Sequence, residues 1–386
     1  MRIYWSRCGH GHGNFGDKIT PLLLKHAGIP VEWAPPEHAE LIGVGSVLEK
    51  VPETFKGAIW TTGFMHESSR KKFPHARLLG VRGRLTLERI ECNARDKVLL
   101  GDAGLLADVF HTPATKRHKL GIIPHFADAD DPFVKQLAQS SSEITVIDIC
   151  AETMEVISAA GQCENIISSS LHGLILADSL GIPSRWMELN RGEKRVTGEG
   201  FKYRDYYSTF GRDAAPLHLD ALSSLDRVLA WVRTPPAMEE CKSGLRASIK
   251  TIKETLRPLS AEEREARRDA EADWMARRDE LLQLAAETIP PHSTIIVADE
   301  EQIRGMLSNW RTLPFTERDD QYWGPPSSDE EAIREVERQF QSGVKWIVIA
   351  WPMFWMLERF PLFAAYLDNT LSLCCKTRAV RIFVRR

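Results

Sequence analysis

Cysteine is scarce and unorganised in this chain. There are seven in 386 residues, and only Cys374 and Cys375 are neighbours, a pattern that supports neither a disulfide framework nor a zinc site. An excess of one charge is also missing: the formal net charge is -3, so nothing global favours nucleic acid as a partner. Long apolar runs are absent too. The most apolar segment, residues 346–367, is broken by Pro352, Glu358, Arg359 and Pro361, well short of the roughly 20 residues that a membrane-spanning helix needs. Met1-Arg2-Ile3-Tyr4-Trp5 reads as a strand rather than a leader. A cytoplasmic, reducing location is expected, and peripheral contact with the inner face of a membrane stays open.

With 43% hydrophobic and 27% charged residues over this length, the chain can bury large cores and should divide into two or three domains. The first, residues 1–112, opens with a strand over residues 2–5 and a glycine-rich loop from Gly9 to Asp17. A helix over about 19–26 follows, with Pro21 in its first turn, where a proline loses no hydrogen bond. The loop matches neither the Walker spacing nor the dinucleotide fingerprint. His10 and His12 in it have no carboxylate at ligand spacing, and we read them as loop histidines rather than a zinc pair. Further strands at 41–46, 58–63, 76–79 and 98–100 end in Gly, Ser or Asp before helical segments, the grammar of a parallel sheet whose ligand face lies along those ends. Arg82, between a strand and a helix, has the guanidinium geometry to grip a carboxylate or phosphate, and it equally fits a salt-bridged helix start.

The pattern restarts in residues 117–235, with a strand at 120–123, the turn Pro124-His125-Phe126, a helix at 132–138, a strand at 144–149 and a helix at 153–160. The stretch on which the functional reading turns is Ile166-Ile167-Ser168-Ser169-Ser170-Leu171-His172-Gly173. It reads as a buried strand, a polar turn and a helix opening near His172 that stops at Gly181, before Pro183. His172 then sits where a helix N-terminus aims N–H groups at an anion, beside the hydroxyls of Ser169 and Ser170. Taken alone, the same residues also describe a capped strand-to-helix turn. A cleft carrying Arg82, His125, His172, Lys194, Arg195 and Lys202 suits a small multivalent anion. Beyond it, residues 243–288 read as a helical linker interrupted at Pro258, and 290–386 as a small α/β domain. There Trp310, Trp323, Trp351 and Trp355 fit either sugar stacking or a core.

Asn14-Phe15-Gly16-Asp17, Gly43-Val44-Gly45-Ser46, Val81-Arg82-Gly83, Leu100-Gly101-Asp102, Gly121-Ile122-Ile123-Pro124-His125 and Ser168-Ser169-Ser170-Leu171-His172-Gly173 occur in the order typical of the polysaccharide pyruvyl transferase family. The chain resembles that family over about residues 1–232, and the block 201–207 resembles its bacterial exopolysaccharide ketal-pyruvate members. The resemblance implies an α/β fold of two Rossmann-like domains in a GT-B-like arrangement. It implies phosphoenolpyruvate as donor, no separate cofactor, and a sugar hydroxyl pair as acceptor, free or lipid-linked. It puts the general acid on His172 and donor binding on Arg82. We take Asn14, Asp17, Ser46, Asp102, His125, Ser169 and Ser170 as further candidate binding positions. Some relatives have an arginine where this chain has Ser170, and Lys194, Arg195 or Lys202 would replace that cation. An imidazolium is available near neutral pH as the acid, and Asp17 or Asp102 would balance its charge, with Asp17 fitting a helix cap equally well. A nucleotide-sugar glycosyltransferase of the same architecture, or a non-catalytic scaffold in a polysaccharide assembly complex, are the alternatives.

Overall fold

A computed structural model describes residues 1–6, 15–92, 98–189, 200–212, 214–220, 223–254, 261–300, 302–318, 321–322 and 325–385. These fall into two compact units: one holds the described residues up to Glu254, the other those from Ala261 onward.

The first unit contains two five-stranded sheets built alike. In the first, β1 (Arg2–Tyr4), β2 (Glu32–Trp33), β3 (Leu41–Ile42), β4 (Ala58–Ile59) and β5 (Arg77–Leu78) take the order β2-β1-β3-β4-β5, all parallel. In the second, β6 (His118–Ile123), β7 (Ile144–Val146), β8 (Cys163–Ser168), β9 (Ser184–Leu189) and β10 (Leu217–Leu219) take the order β7-β6-β8-β9-β10, again all parallel. Each sheet runs outward from its first strand in both directions. That leaves a crevice at the strand ends where the order reverses, between β1 and β3 and between β6 and β8. The regular strands of the first sheet are shorter than their apolar runs, because 43–46 and 60–63 are irregular, with Thr62 making an isolated bridge to Val81.

Helix α1 (Phe15–His26) starts four residues before the expected position, so Pro21 lies inside it and not in its first turn. Its start is fixed by packing: Phe15 and Ile19 are fully buried, and the Phe15 N–H donates to Ile149 O at 2.9 Å. In the second half, α2 (Pro132–Gln139) and α3 (Thr153–Gly161) match the periodicity closely, and α2 is capped by Asp131, whose carboxylate accepts from the Phe133 N–H. Then come α4 (Leu171–Ser179) and α5 (Phe201–Ser208).

The stretch read as a helical linker interrupted at Pro258 holds two helices, one in each unit. The first, α6 (Glu239–Glu254), returns to the first sheet. Leu245 and Ile252 are buried there, and the Trp60 indole donates to Ser248 Oγ at 2.8 Å. The second, α7 (Ala261–Thr288), belongs to the other unit and buries Leu281 and Ala285. That unit has a mixed sheet of β11 (Thr294–Ala298), β12 (Arg311–Pro314), β13 (Trp346–Ala350), β14 (Leu371–Lys376) and β15 (Val380–Arg385), in the order β12-β11-β13-β15-β14, with β15 antiparallel to both neighbours. Strands β12 and β14 are additions to the sequence reading. Helix α8 (Asp329–Gln341) is capped by Ser328 and has three acids in its first turn. Trp351 is 8% exposed and meets Trp274 edge-on at 5.7 Å. The indoles of Trp310 and Trp355 donate to Pro290 O and Glu300 Oε1. These three tryptophans help knit the fold, and Trp323 lies outside the described residues.

Candidate active site

The turn from β8 into α4 is built from its serines. Ser168 Oγ lies 2.6 Å from Ile123 O and 2.8 Å from Ser170 O, and it accepts the Ser170 N–H at 3.0 Å. A Cβ on Gly173 would stand 2.3 Å from that hydroxyl, so only glycine lets the helix start this close to the strand. Ser170 occupies the N-cap with an extended backbone, yet its side chain caps nothing, which leaves the first N–H groups of α4 without a capping side chain. Eight of the nine helix residues are buried, as befits a core helix rather than a surface one. It ends at Gly181, in the left-handed region with φ 69°.

Strands β6 and β8 pair Ile123 with Ser168, so the His125 loop and the serine turn flank the crevice of the second sheet. The His125 N–H donates to Ser169 Oγ at 2.9 Å, and Ser169 Oγ donates to Asp128 Oδ2 at 2.5 Å. His125 Nδ1 accepts from the Ala127 N–H at 3.2 Å. The Ser169 hydroxyl and one nitrogen of His125 therefore hold the turn together.

His172, in the first turn of α4, points across to the first half. Its ring lies against Gly16 of α1, where a Cβ would come within 1.9 Å of Nδ1. Its Nε2 is 3.8 Å from Asp102 Oδ2, and both atoms are buried with no hydrogen-bond partner among the described residues. Asp102 is held from its other oxygen, Oδ1, by the Gly104 N–H at 2.8 Å. Burial drives both groups toward their neutral forms. The carboxyl is pushed up to about 7, against the pull of the Gly104 N–H and of Arg82. The imidazole is pushed down to about 3, first by burial and then by the charges of Lys202 and Arg82. The expected imidazolium is therefore a neutral ring in this state. Burial is the main reason, and the pair of cations that suits the site to an anion adds to it.

Arg82 is 1% exposed. Its Nε donates to Asp205 Oδ2 at 2.9 Å, Nη1 to Ser46 Oγ at 2.5 Å and Nη2 to Phe64 O at 2.6 Å. Asp205 also accepts from Thr86 N and Thr86 Oγ1, both at 2.7 Å. The surroundings are tight: a Cβ on Gly63 would stand 2.6 Å from the guanidinium, and one on Gly83 would stand 1.8 Å from Asp205 O. In this geometry Arg82 reaches the site through its field, while its hydrogen bonds lock Ser46 and α5 to the end of the first sheet.

Lys202 is buried beside this network, 5.3 Å above the Tyr203 ring. Asp17 is buried in the first turn of α1, next to Gly16. Asn14, Lys194 and Arg195 lie outside the described residues.

Sequence reasoning missed the work of α5. Asp205 joins it to the first half. In the other direction, Tyr203 OH donates to Ser169 O at 2.6 Å and its ring stacks on Trp186 at 4.3 Å. Tyr206 OH donates to Asp178 Oδ2 at 2.8 Å, where Arg212 also binds at 2.7 Å. The aromatic density of 201–207 was the available signal. A cavity of about 550 Å³ lies elsewhere, between the β5 edge and α6, lined by residues such as Phe73, Leu78, Leu99 and Ala247. None of the residues discussed above as candidate binders lines it.

Comparison with known proteins finds the polysaccharide pyruvyl transferase family model matching residues 43–191. The match takes in Ser46, Arg82, Asp102, His125 and the serine turn through His172, and stops short of α5. The uncharacterized protein L143 of Acanthamoeba polyphaga mimivirus is 36% identical over 139 residues, 34% of this chain and 47% of that protein. The succinoglycan biosynthesis protein ExoV of Rhizobium meliloti (strain 1021) is 26% identical over 238 residues, 60% of this chain and 71% of that protein. The chain thus spans about half the length of the mimivirus relative. The resemblance to polysaccharide pyruvyl transferases holds on these comparisons. Among the described residues, no helix is long and apolar enough to cross a membrane.

Proposed function

We propose that the chain transfers pyruvate from phosphoenolpyruvate to a hydroxyl pair of a saccharide, free or lipid-linked, forming a pyruvate ketal and releasing phosphate. The observation that carries this reading is the position of His172. A neutral, largely enclosed imidazole sits at the crevice of a parallel sheet, flanked by the charges of Arg82 and Lys202. The two doubly wound halves, with α6 returning to the first sheet, support a GT-B-like arrangement.

Phosphoenolpyruvate is an enol phosphate. Protonating its methylene carbon creates an oxocarbenium-like centre that a sugar hydroxyl attacks, and a second hydroxyl then displaces phosphate. Of the two hydroxyl protons, one restores the acid and the other leaves with phosphate, so the reaction as written calls for no resident cofactor. The donor brings the missing charge itself. Its carboxylate and phosphate offset Arg82 and Lys202, which raises the proton affinity of His172 when the donor is bound. Arg82 contributes its field and its hold on Ser46, and the first N–H groups of α4 face an anion.

The test is incubation with phosphoenolpyruvate and a panel of lipid-linked or synthetic glycosides, following phosphate release and the mass of the acceptor. Acceptor-dependent phosphate release that His172→Ala abolishes is the expected result. Turnover of a nucleotide sugar without phosphoenolpyruvate would replace this reading with glycosyl transfer.

A further inference from the structure

Asp102 has no structural reason to keep an unpartnered oxygen in the core. Its Oδ1 is satisfied by the Gly104 N–H, while Oδ2 is fully buried and aimed at the equally unpartnered Nε2 of His172, 3.8 Å away. A buried polar atom without a partner is destabilising, and here two such atoms face each other. The distance is longer than a hydrogen bond, and the ring would have to move by less than about 1 Å to close it, as catalytic contacts often do when a substrate binds.

We propose that Asp102 is the proton reservoir behind His172: the resting site holds its proton on Asp102, and donor binding draws that proton onto the imidazole. This rests on the reading of the site as a phosphoenolpyruvate-dependent transferase. In the step, Nδ1–H of His172 breaks as a C–H bond forms at the donor's methylene carbon. Asp102 Oδ2–H breaks as Nε2–H forms, leaving a carboxylate and a neutral imidazole of the other tautomer. The proton of the first attacking hydroxyl then returns to Nδ1, and Nε2 hands its proton back to Asp102. Asp102 is a positioning residue that acts through His172.

The groups facing the pair are consistent with one stored proton. Lys202 and Arg82 oppose a second proton, and so a positive charge, on His172. Asp205 opposes a negative charge on Asp102, whereas Arg82 favours it. Tyr206 and Cys241, both near Asp102, are held well above neutrality by burial, so neither competes for the proton in the working range.

The experiment measures phosphoenolpyruvate- and acceptor-dependent phosphate release by the full chain between pH 5.5 and 9. Without wild-type turnover of phosphoenolpyruvate, the functional reading itself falls, whatever Asp102 does. With turnover, the wild-type kcat/KM should fall above about pH 7, following Asp102. Asp102→Asn should lower kcat about 100-fold or more with less than about a threefold change in KM for the donor, and lose that alkaline limb, while Asp102→Glu restores part of kcat. A wild-type profile flat from pH 6 to 8.5 would overturn the proposal even if Asp102→Asn does not fold. A folded Asp102→Asn enzyme with wild-type kcat would overturn it as well.

Discussion

Replacing Asp102 by asparagine should change how the stability of the first unit depends on pH, whether or not the chain turns anything over. The folded carboxyl holds its proton up to about pH 7, against its ordinary 3.8. Between those values the folded chain binds up to one proton more than the unfolded chain. The stability this provides is therefore complete below about pH 4 and is lost as pH rises through 7. Asparagine has no such titration. The stability of Asp102→Asn relative to the parent should rise by up to about 1.4 kcal/mol per pH unit over that window, about 4 kcal/mol in all. His172 carries the opposite sign. Its folded pKa of about 3 lies below the ordinary 6.5, so the unfolded chain takes up the extra proton as pH falls from 6.5. In the parent the two effects nearly cancel between pH 4 and 6.5. In Asp102→Asn the histidine effect stands alone, and acidification should destabilise the variant more steeply. Urea denaturation of both proteins at half-unit pH steps, followed by the fluorescence of Trp60 and Trp186 in this unit, measures the difference. If it does not change with pH between 4.5 and 7, the buried carboxyl is ionised throughout and the argument fails.

Asp205→Asn leaves the Arg82 charge buried and unpaired, and should cost about 3–5 kcal/mol in denaturant unfolding. The double variant Arg82→Met/Asp205→Asn, which keeps an acceptor for the Thr86 N–H, should recover much of that loss, and equal costs for the single and double variants would contradict it. Gly16→Ala puts a methyl where the His172 ring lies. About 1–3 kcal/mol of stability and most of the phosphate release should be lost together, and unchanged turnover would show that the ring does not act from this position. Tyr203→Phe removes the donor to Ser169 O and should lower stability by about 1–2 kcal/mol, because a buried carbonyl loses its partner, an effect a thermal melt resolves.

The parts of this structure legible in the sequence are those with local signals. Strands β6 and β8 end in the buried apolar pairs Ile122-Ile123 and Ile166-Ile167, each closed by turn residues, and the serine turn, the α4 start and the Gly181 stop are each written within a few residues. Packing over long distances decided the rest. Pro21 reads locally as a helix start, but the burial of Phe15 sets the true one. The segment 311–314 ends in proline, and 371–376 follows a helix directly with two cysteines inside it, so neither advertises a strand. The bond from Arg82 to Asp205 spans 123 residues, and no spacing rule connects them. The charge state of His172 also escaped the sequence, since an imidazole reads as a ready acid until its burial is known.

Helix α5 acts as a rivet. It is pinned to one half through Asp205 and to the other through Tyr203 and Tyr206, so a clamshell opening of the crevice would tear out an ion pair and two buried hydroxyl contacts at once. Any separation of the two sheets is therefore coupled to the loss of those contacts.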